Sequence, residues 1–307
     1  VSAPVVAGRD HGGGDHGRHD HDQHDHGHDD PGRGGHGRRR RLPRQLRAFG
    51  RLLALNISMT FVYRGDFLML QLATVLVPVI SLLVWRAAVA AGADLPVDQS
   101  YLDSYFLAVS VVSMATASWT APFLSTSIRN GELSRSLLRP ASPHLDGYAN
   151  NLGEKVVKLA LLVPIIVVVV LVLPETPRVV GDPRHWALAV VAVVVAAVIA
   201  HCFEIACASL AFWFSDVNGF LVALELIKGV LSGAVVPLVL MPPALATALS
   251  WQPFRFFVSF PIEVATGQVA GGVAFGFAQQ LGWLLVVGGL SVLLWRTGLR
   301  RYAASGA

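Results

Sequence analysis

After Arg64 the chain contains long stretches without a single charged side chain, and those stretches decide what it can fold into. An uncharged apolar run of about 18 or more residues is long enough, as a helix, to cross roughly 30 Å of hydrocarbon. Several such runs in one chain exceed what one soluble core would absorb. Charged residues make up 14% of the chain, against about 25% in soluble domains, and much of that charge lies before Arg64. The spacing predicts an all-α membrane protein with six transmembrane helices. Span one covers about Phe67 to Trp85, and span two lies between Asp103 and Arg129. Span three runs from about Val156 to Pro174, and span four from Trp186 to about Phe214. Span five extends from about Phe220 to Leu240. Span six begins near Phe275, beyond the glycine-rich stretch Gly267, Gly271, Gly272, and ends at Trp295. The six-span domain then occupies residues 67–301, with 302–307 as a short tail.

Loop charge gives an orientation. The loop after span two carries Arg129, Arg135, Arg139, Lys155 and Lys158, and the C-terminal tail carries Arg296, Arg300 and Arg301. The loop after span one has Asp94, Asp98 and Asp103 and no basic residue. The loop after span three balances Arg178 and Arg184 against Glu175 and Asp182. With the basic N-terminal arm, the rich regions fall on one side, as an even number of spans requires. Both termini are therefore expected in the cytoplasm. No short apolar stretch with a cleavage site precedes the spans, so span one is expected to act as the targeting signal. Arg86, at the end of span one, is expected to snorkel to the external surface.

Two segments precede the spans. Residues 1–37 are rich in Gly, His and Asp and too poor in apolar residues to offset their ordering entropy, which predicts disorder. His19, His21, His24, His26 and His28 alternate there with aspartates, and such ligands bind zinc, nickel or copper weakly. Flexible alternation offers no fixed geometry, so a solvated, uncommitted tail is the plainer reading. Residues 38–66 place Arg38 to Arg41, Arg44, Arg47, Arg51 and Arg64 among Leu46, Phe49, Leu52, Leu53 and Leu55. That pattern suits an amphipathic helix lying on the bilayer surface.

Residues 237–263 are apolar yet broken by Pro237, Pro242, Pro243, Pro253 and Pro261. Short apolar pieces of this kind suggest a re-entrant external hairpin between helices five and six, tolerated where protein covers the backbone. A plain aromatic belt on an external loop is the other reading; in either, Trp251, Phe254, Phe256 and Phe257 sit at headgroup level. Inside the spans, ionisable residues are costly and often functional. His201 and Glu204 share a face of span four, and Glu225 and Lys228 share one in span five. Mutual neutralisation explains Glu225 with Lys228. Glu204 has no partner in its own helix except His201 if protonated, and Lys228 is within reach across the short connection. Alternatively Glu204, with Glu225, presents negative charge to a cationic cargo. Cys202 and Cys207 read as buried small hydrophobes, not a disulfide or metal pair.

The loop after span two reads I-R-N-G-E-L-S-R-S-L-L-R-P from Ile128 to Pro140. Asn130-Gly131 signals a turn, and Glu132 to Arg139 form about two helical turns ended by Pro140. Leu133 and Leu137 share one face and Arg135 and Arg139 another. Such a helix suits docking to a partner protein or binding to acidic headgroups, and the residues alone leave both open.

This segment resembles the "G-E-L … L-L-R-P" signature of ABC-2 type permeases, in Gly131, Glu132, Leu133, Leu137, Leu138, Arg139 and Pro140. It is most similar to the six-span subgroup encoded as paired permeases beside one ATPase. Pro237-Leu238, Pro242, Gln252-Pro253-Phe254-Arg255 and Phe260-Pro261 resemble the family in the same order, so the likeness covers roughly Arg51 to Arg301. It implies that Glu132, Leu133, Arg135, Leu137, Leu138 and Arg139 form a coupling helix seated in a groove of an ABC ATPase subunit. It further implies a second permease, identical or paralogous, in a bacterial inner membrane, with spans two and five near their interface. The chain has no G-x-x-x-x-G-K-[ST] loop: its lysines are Lys155, Lys158 and Lys228, none in such a frame. The chain itself is thus expected to bind no cofactor, with ATP and Mg on the partner; no nucleic-acid partner is expected. The expected activity is export of a hydrophobic or amphipathic compound, drug-like and cationic in its sharper form. A six-span zinc-type exporter using the His-rich tail is the alternative, but span two has neither acid nor His and span five has no His. An intramembrane enzyme would need a convergent catalytic set, and His201 with Glu204 is the one candidate pair.

Overall fold

The computed structural model describes residues 64–134, 143–172 and 182–304, together with Gly50 and Ala54. The chain divides into units 1–42 and 43–307, and every described residue belongs to the second. The His- and Asp-bearing tail, with His19, His21, His24, His26 and His28, and the amphipathic stretch up to residue 63, Gly50 and Ala54 apart, lie outside the described residues.

The described residues are helical, with no strand among them. In chain order they form α1 (Arg64–Ala90), α2 (Gln99–Thr116), α3 (Thr120–Arg129), α4 (Pro143–Val172) and α5 (Pro183–Ser209). Then come α6 (Asn218–Leu231), α7 (Pro243–Ser250), α8 (Ser259–Thr266) and α9 (Val273–Ala304). Short 3₁₀ turns cover Leu210–Phe212, Leu238–Leu240 and Pro253–Phe257. Three stretches are long and apolar enough to cross a membrane: Gln99–Arg129, Pro183–Phe212 and Val273–Tyr302. Val75–Ala90 is a shorter apolar helix.

Helix α5 is the hub, packed against α9, α8, α3 and α2. Small residues on its contact face, Ala192, Ala196 and Ala200 among them, let those neighbours close in and are buried. The faces that remain carry exposed valines and leucines, such as Val190, Val191 and Val194 on α5 and Leu285, Val286 and Leu293 on α9. A surface of this kind suits a hydrocarbon solvent. Along α9 two glycines accept aromatic rings at close range. A Cβ on Gly276 would fall 2.1 Å from Phe260 Cε2, and one on Gly298 would fall 2.0 Å from Phe212 Cδ2.

Three expectations need correction. The apolar run taken as span five extends to Leu240, but α6 stops at Leu231. Fourteen residues rise about 21 Å, short of the hydrocarbon thickness. The cause is a turn at Gly233, whose φ of +83° favours glycine and whose absent Cβ leaves room for Ser259. The carbonyls freed there have partners: Tyr105 Oη donates to Gly233 O at 3.0 Å, and the N–H of Ser259 donates to Ser232 O at 3.1 Å. Second, span two is not one helix but α2 and α3 with a break at Ala117–Trp119. Third, the aromatic residues of the proline-broken segment do not form a belt. Phe256 and Phe257 are buried in the main core with Phe260 and Ile262, Phe254 is half-buried, and of the four only Trp251 is exposed. The prolines do divide that segment into short helical pieces.

Candidate functional site

The break in span two is where the intramembrane polar residues meet. Pro122 sits in the first turn of α3, where its missing N–H costs nothing. In a continuous helix it would have to bond Ser118 O, which it cannot do, and its ring would clash with that carbonyl. A break frees backbone groups, and in lipid each must find a partner. Neighbouring helices supply them. Asn151 of α4 accepts from Trp119 N at 3.0 Å through Oδ1 and donates through Nδ2 to Thr120 Oγ1 at 2.8 Å. Glu204 of α5 accepts from Ala121 N at 3.0 Å. Thr120 Oγ1 lies 3.3 Å from Nδ1 of His201, whose ring also meets Tyr148 edge-on. Pro78 in α1 and Pro164 in α4 lie inside unbroken helices, so proline alone does not dictate the interruption. Polar acceptors opposite it do.

Glu204 therefore caps α3 from outside. A carboxylate at a helix N-terminus faces the positive end of the macrodipole. Its other oxygen lies 3.6 Å from Lys228 Nζ of α6, and Lys228 also pairs with Glu225 one turn away. The structure thus brings together the four intramembrane residues singled out in the sequence, with Thr120 and Asn151 added. Glu204, Glu225, Trp119 and Phe203 line a half-open cavity of about 230 Å³. Among the described residues no group of three or more His, Cys, Asp or Glu could hold a metal ion. Cys202 and Cys207 are free thiols.

α3 leads directly into the segment that begins at Asn130. Asn130 and Gly131 form the expected turn, with Gly131 at φ +75°. Glu132 is exposed, whereas Leu133 is fully buried. The Leu133 side chain packs with Ile128, Phe212 and Trp295, with Leu299 and Tyr302 around them. Ser134 and Tyr302 share a hydrogen bond of 3.0 Å, which ties the segment to the end of α9. Arg135, Leu137, Leu138 and Arg139 lie outside the described residues.

At the other end of α2 the sequence reading missed two ion pairs. Arg86 does not snorkel freely. Its Nε and Nη2 donate to the two oxygens of Asp103 at 2.9 and 2.6 Å, and Asp103 is fully buried. Arg255 donates to both oxygens of Glu263, at 3.3 and 2.5 Å, and both residues are buried. The signal for the second pair was present: Arg255 and Glu263 are the only charges between Lys228 and Arg296, and two buried charges of opposite sign pair.

A helical bundle with lipid-type faces, a broken span and a polar cluster at the break defines a polytopic membrane protein of the transporter kind. The family model described as "ABC-2 family transporter protein" matches residues 100–306, and the chain belongs to that family. Its members are the membrane permease subunits of ABC transporters and associate with an ATPase subunit. A search of curated proteins finds no match.

Proposed function

We propose that this chain is the membrane half of an exporter driven by ATP hydrolysed on a separate partner subunit, and that it works as a pair with a second permease. The chain crosses a bacterial inner membrane six times with both termini cytoplasmic, α1 and α4 adding to the three long apolar stretches. α6 with the proline-broken pieces up to Thr266 makes the fifth, incomplete crossing and an external hairpin. The observation that carries the reading is the broken second span. Its lower half, α3, is held by side-chain bonds from α4 and α5 and runs straight into the segment beginning at Glu132. A half-helix held this way can shift as a unit when a partner pushes on that segment, while α2 stays packed in the core.

The cargo is a hydrophobic or amphipathic compound, with cations favoured. Glu204 and Glu225 share Lys228 and line a cavity beside Phe203, which leaves an excess of negative charge next to an aromatic side chain; the Trp119 ring there already carries Lys158 Nζ at 5.7 Å. That combination suits an organic cation. The test is co-expression with an ABC ATPase subunit from the same genome, followed by co-purification and export assays. Glu132→Arg, at an exposed position, and Leu137→Asp should each weaken ATPase association without lowering the amount of folded permease. Undiminished association in the double variant would remove the coupling role. Unaltered export of a lipophilic cation by Glu204→Gln and by Glu225→Gln would remove the counter-charge role.

A further inference from the structure

A second cavity, also about 230 Å³, opens beside the N-terminal end of α2, about 20 Å along that helix from the break. Tyr101, Tyr105, Arg255 and Glu263 form its polar side, and Leu238 and Ala246 belong to its apolar side. Thr247, Ser250 and Gln268 complete the polar side. Tyr101 is 3% exposed, yet its hydroxyl makes no hydrogen bond to any described residue. Arg255 is equally buried. A guanidinium has five N–H donors. Three of those of Arg255 are used: Nε and one Nη2–H on Glu263, and one Nη1–H on Ser250 O at 3.4 Å. Two remain. Each oxygen of Glu263 accepts one bond from Arg255. Tyr105 is already committed to Gly233 O and Ser259 Oγ. The Tyr101 hydroxyl and the two remaining Arg255 N–H groups are therefore free to donate to a ligand that fills this cavity.

The charge balance narrows the chemistry. Arg255 and Glu263 cancel, and the remaining titratable groups on the wall are the two tyrosines. An ion entering here would lose hydration without meeting a net opposite charge. An uncharged acceptor loses far less. We propose that this cavity is a binding site for an amphipathic molecule bearing an uncharged oxygen acceptor, such as an ester carbonyl or hydroxyl, placed between Tyr101 and Arg255 with its apolar part on Leu238 and Ala246. The site is separate from the Glu204 cavity, and it stands whether or not its ligand is the transported cargo. Its volume lies below the usual range for whole drug-sized ligands, so it takes a small molecule or the head of a larger one.

The experiment is calorimetric titration of the full chain in lipid nanodiscs, with empty nanodiscs subtracted. Three probes share a ten-carbon chain: 1-decanoylglycerol, decanoate and decyltrimethylammonium. The uncharged probe should bind saturably, and each charged probe at least tenfold more weakly. Tyr101→Phe keeps the ring and removes the hydroxyl, and should weaken decanoylglycerol by about three- to tenfold. Ala246→Phe fills the cavity from its apolar side and should abolish saturable binding while leaving Tyr101 in place. Absence of saturable binding to the native chain would mean that water alone occupies the cavity, and would overturn the proposal. So would equal binding of either charged probe, or binding that survives both substitutions. Because Glu204→Gln leaves this cavity untouched, loss of cation export in that variant with decanoylglycerol binding intact separates the two sites.

Discussion

Near the N-terminal end of α2 two carboxylates each meet a guanidinium of their own: Asp103 with Arg86, and Glu263 with Arg255. Near its C-terminal end, Glu204 and Glu225 divide one lysine, and Glu204 also holds a backbone N–H. The first arrangement is geometrically complete. Two-point contacts fix the planes of both groups, and a rigid join follows. The second is incomplete, with one cation between two acids and a helix start as the other partner. Such a cluster has more than one way to distribute its contacts. The contrast suggests that the first end is fastened and the second is where rearrangement is cheap.

Substitutions break or sharpen this contrast by different amounts. Glu263→Leu should do most harm, because it strands the buried Arg255 guanidinium; a loss of about 3–5 kcal/mol is expected in detergent unfolding followed by tryptophan fluorescence. A cost under about 1 kcal/mol would mean that Arg255 stays hydrated, and the fastened end would lose its meaning. Leu133→Ala should cost about 2–4 kcal/mol in the isolated permease, as for other fully buried leucines. If stability is unchanged and ATPase association alone falls, Leu133 faces the partner after all. At the incomplete cluster, Glu204→Ala leaves Ala121 N–H without an acceptor and should cost about 1–3 kcal/mol. Glu204→Gln retains an acceptor and should cost less. The reverse order would assign the stabilisation to the Lys228 charge rather than to the capped helix. Tyr302→Phe should cost least, about 0.5–1.5 kcal/mol, through loss of the Ser134 bond. An effect on transport larger than on stability would show that the clasp on the segment after α3 is used in operation.

Much of this was legible in the chain. Uncharged runs mark the long apolar helices, and isolated charges inside them mark Glu204, Glu225 and Lys228. What escaped were features that depend on residues far apart in sequence. Pro122 announces a possible break, but the break needs Asn151 and Glu204 opposite it, 32 and 83 residues away from the groups they satisfy. The stop of α6 lies at Ser232-Gly233, within a run whose hydropathy does not change, and the acceptors' partners are Tyr105 and Ser259. Leu133 shows what amphipathicity leaves open. A periodic apolar face says that something covers it, not whether the cover is a partner or the chain's own Phe212 and Trp295.

The two close glycine contacts on α9 have a mechanical consequence. Gly276 and Gly298 are 22 residues apart, so the rings of Phe260 and Phe212 seat against one helix at points about 33 Å from each other. Phe260 belongs to α8, in the wall of the fastened end, and Phe212 to the cluster that holds Leu133. If the helix tilts as one body, contacts at two distant points move together. A tilt of about 5° about the Phe260 contact would carry the Phe212 contact sideways by about 3 Å, the scale of a side chain changing rotamer. The lever ratio, not any chain of touching residues, is then what would let a small displacement at one face of the bilayer be felt at the other.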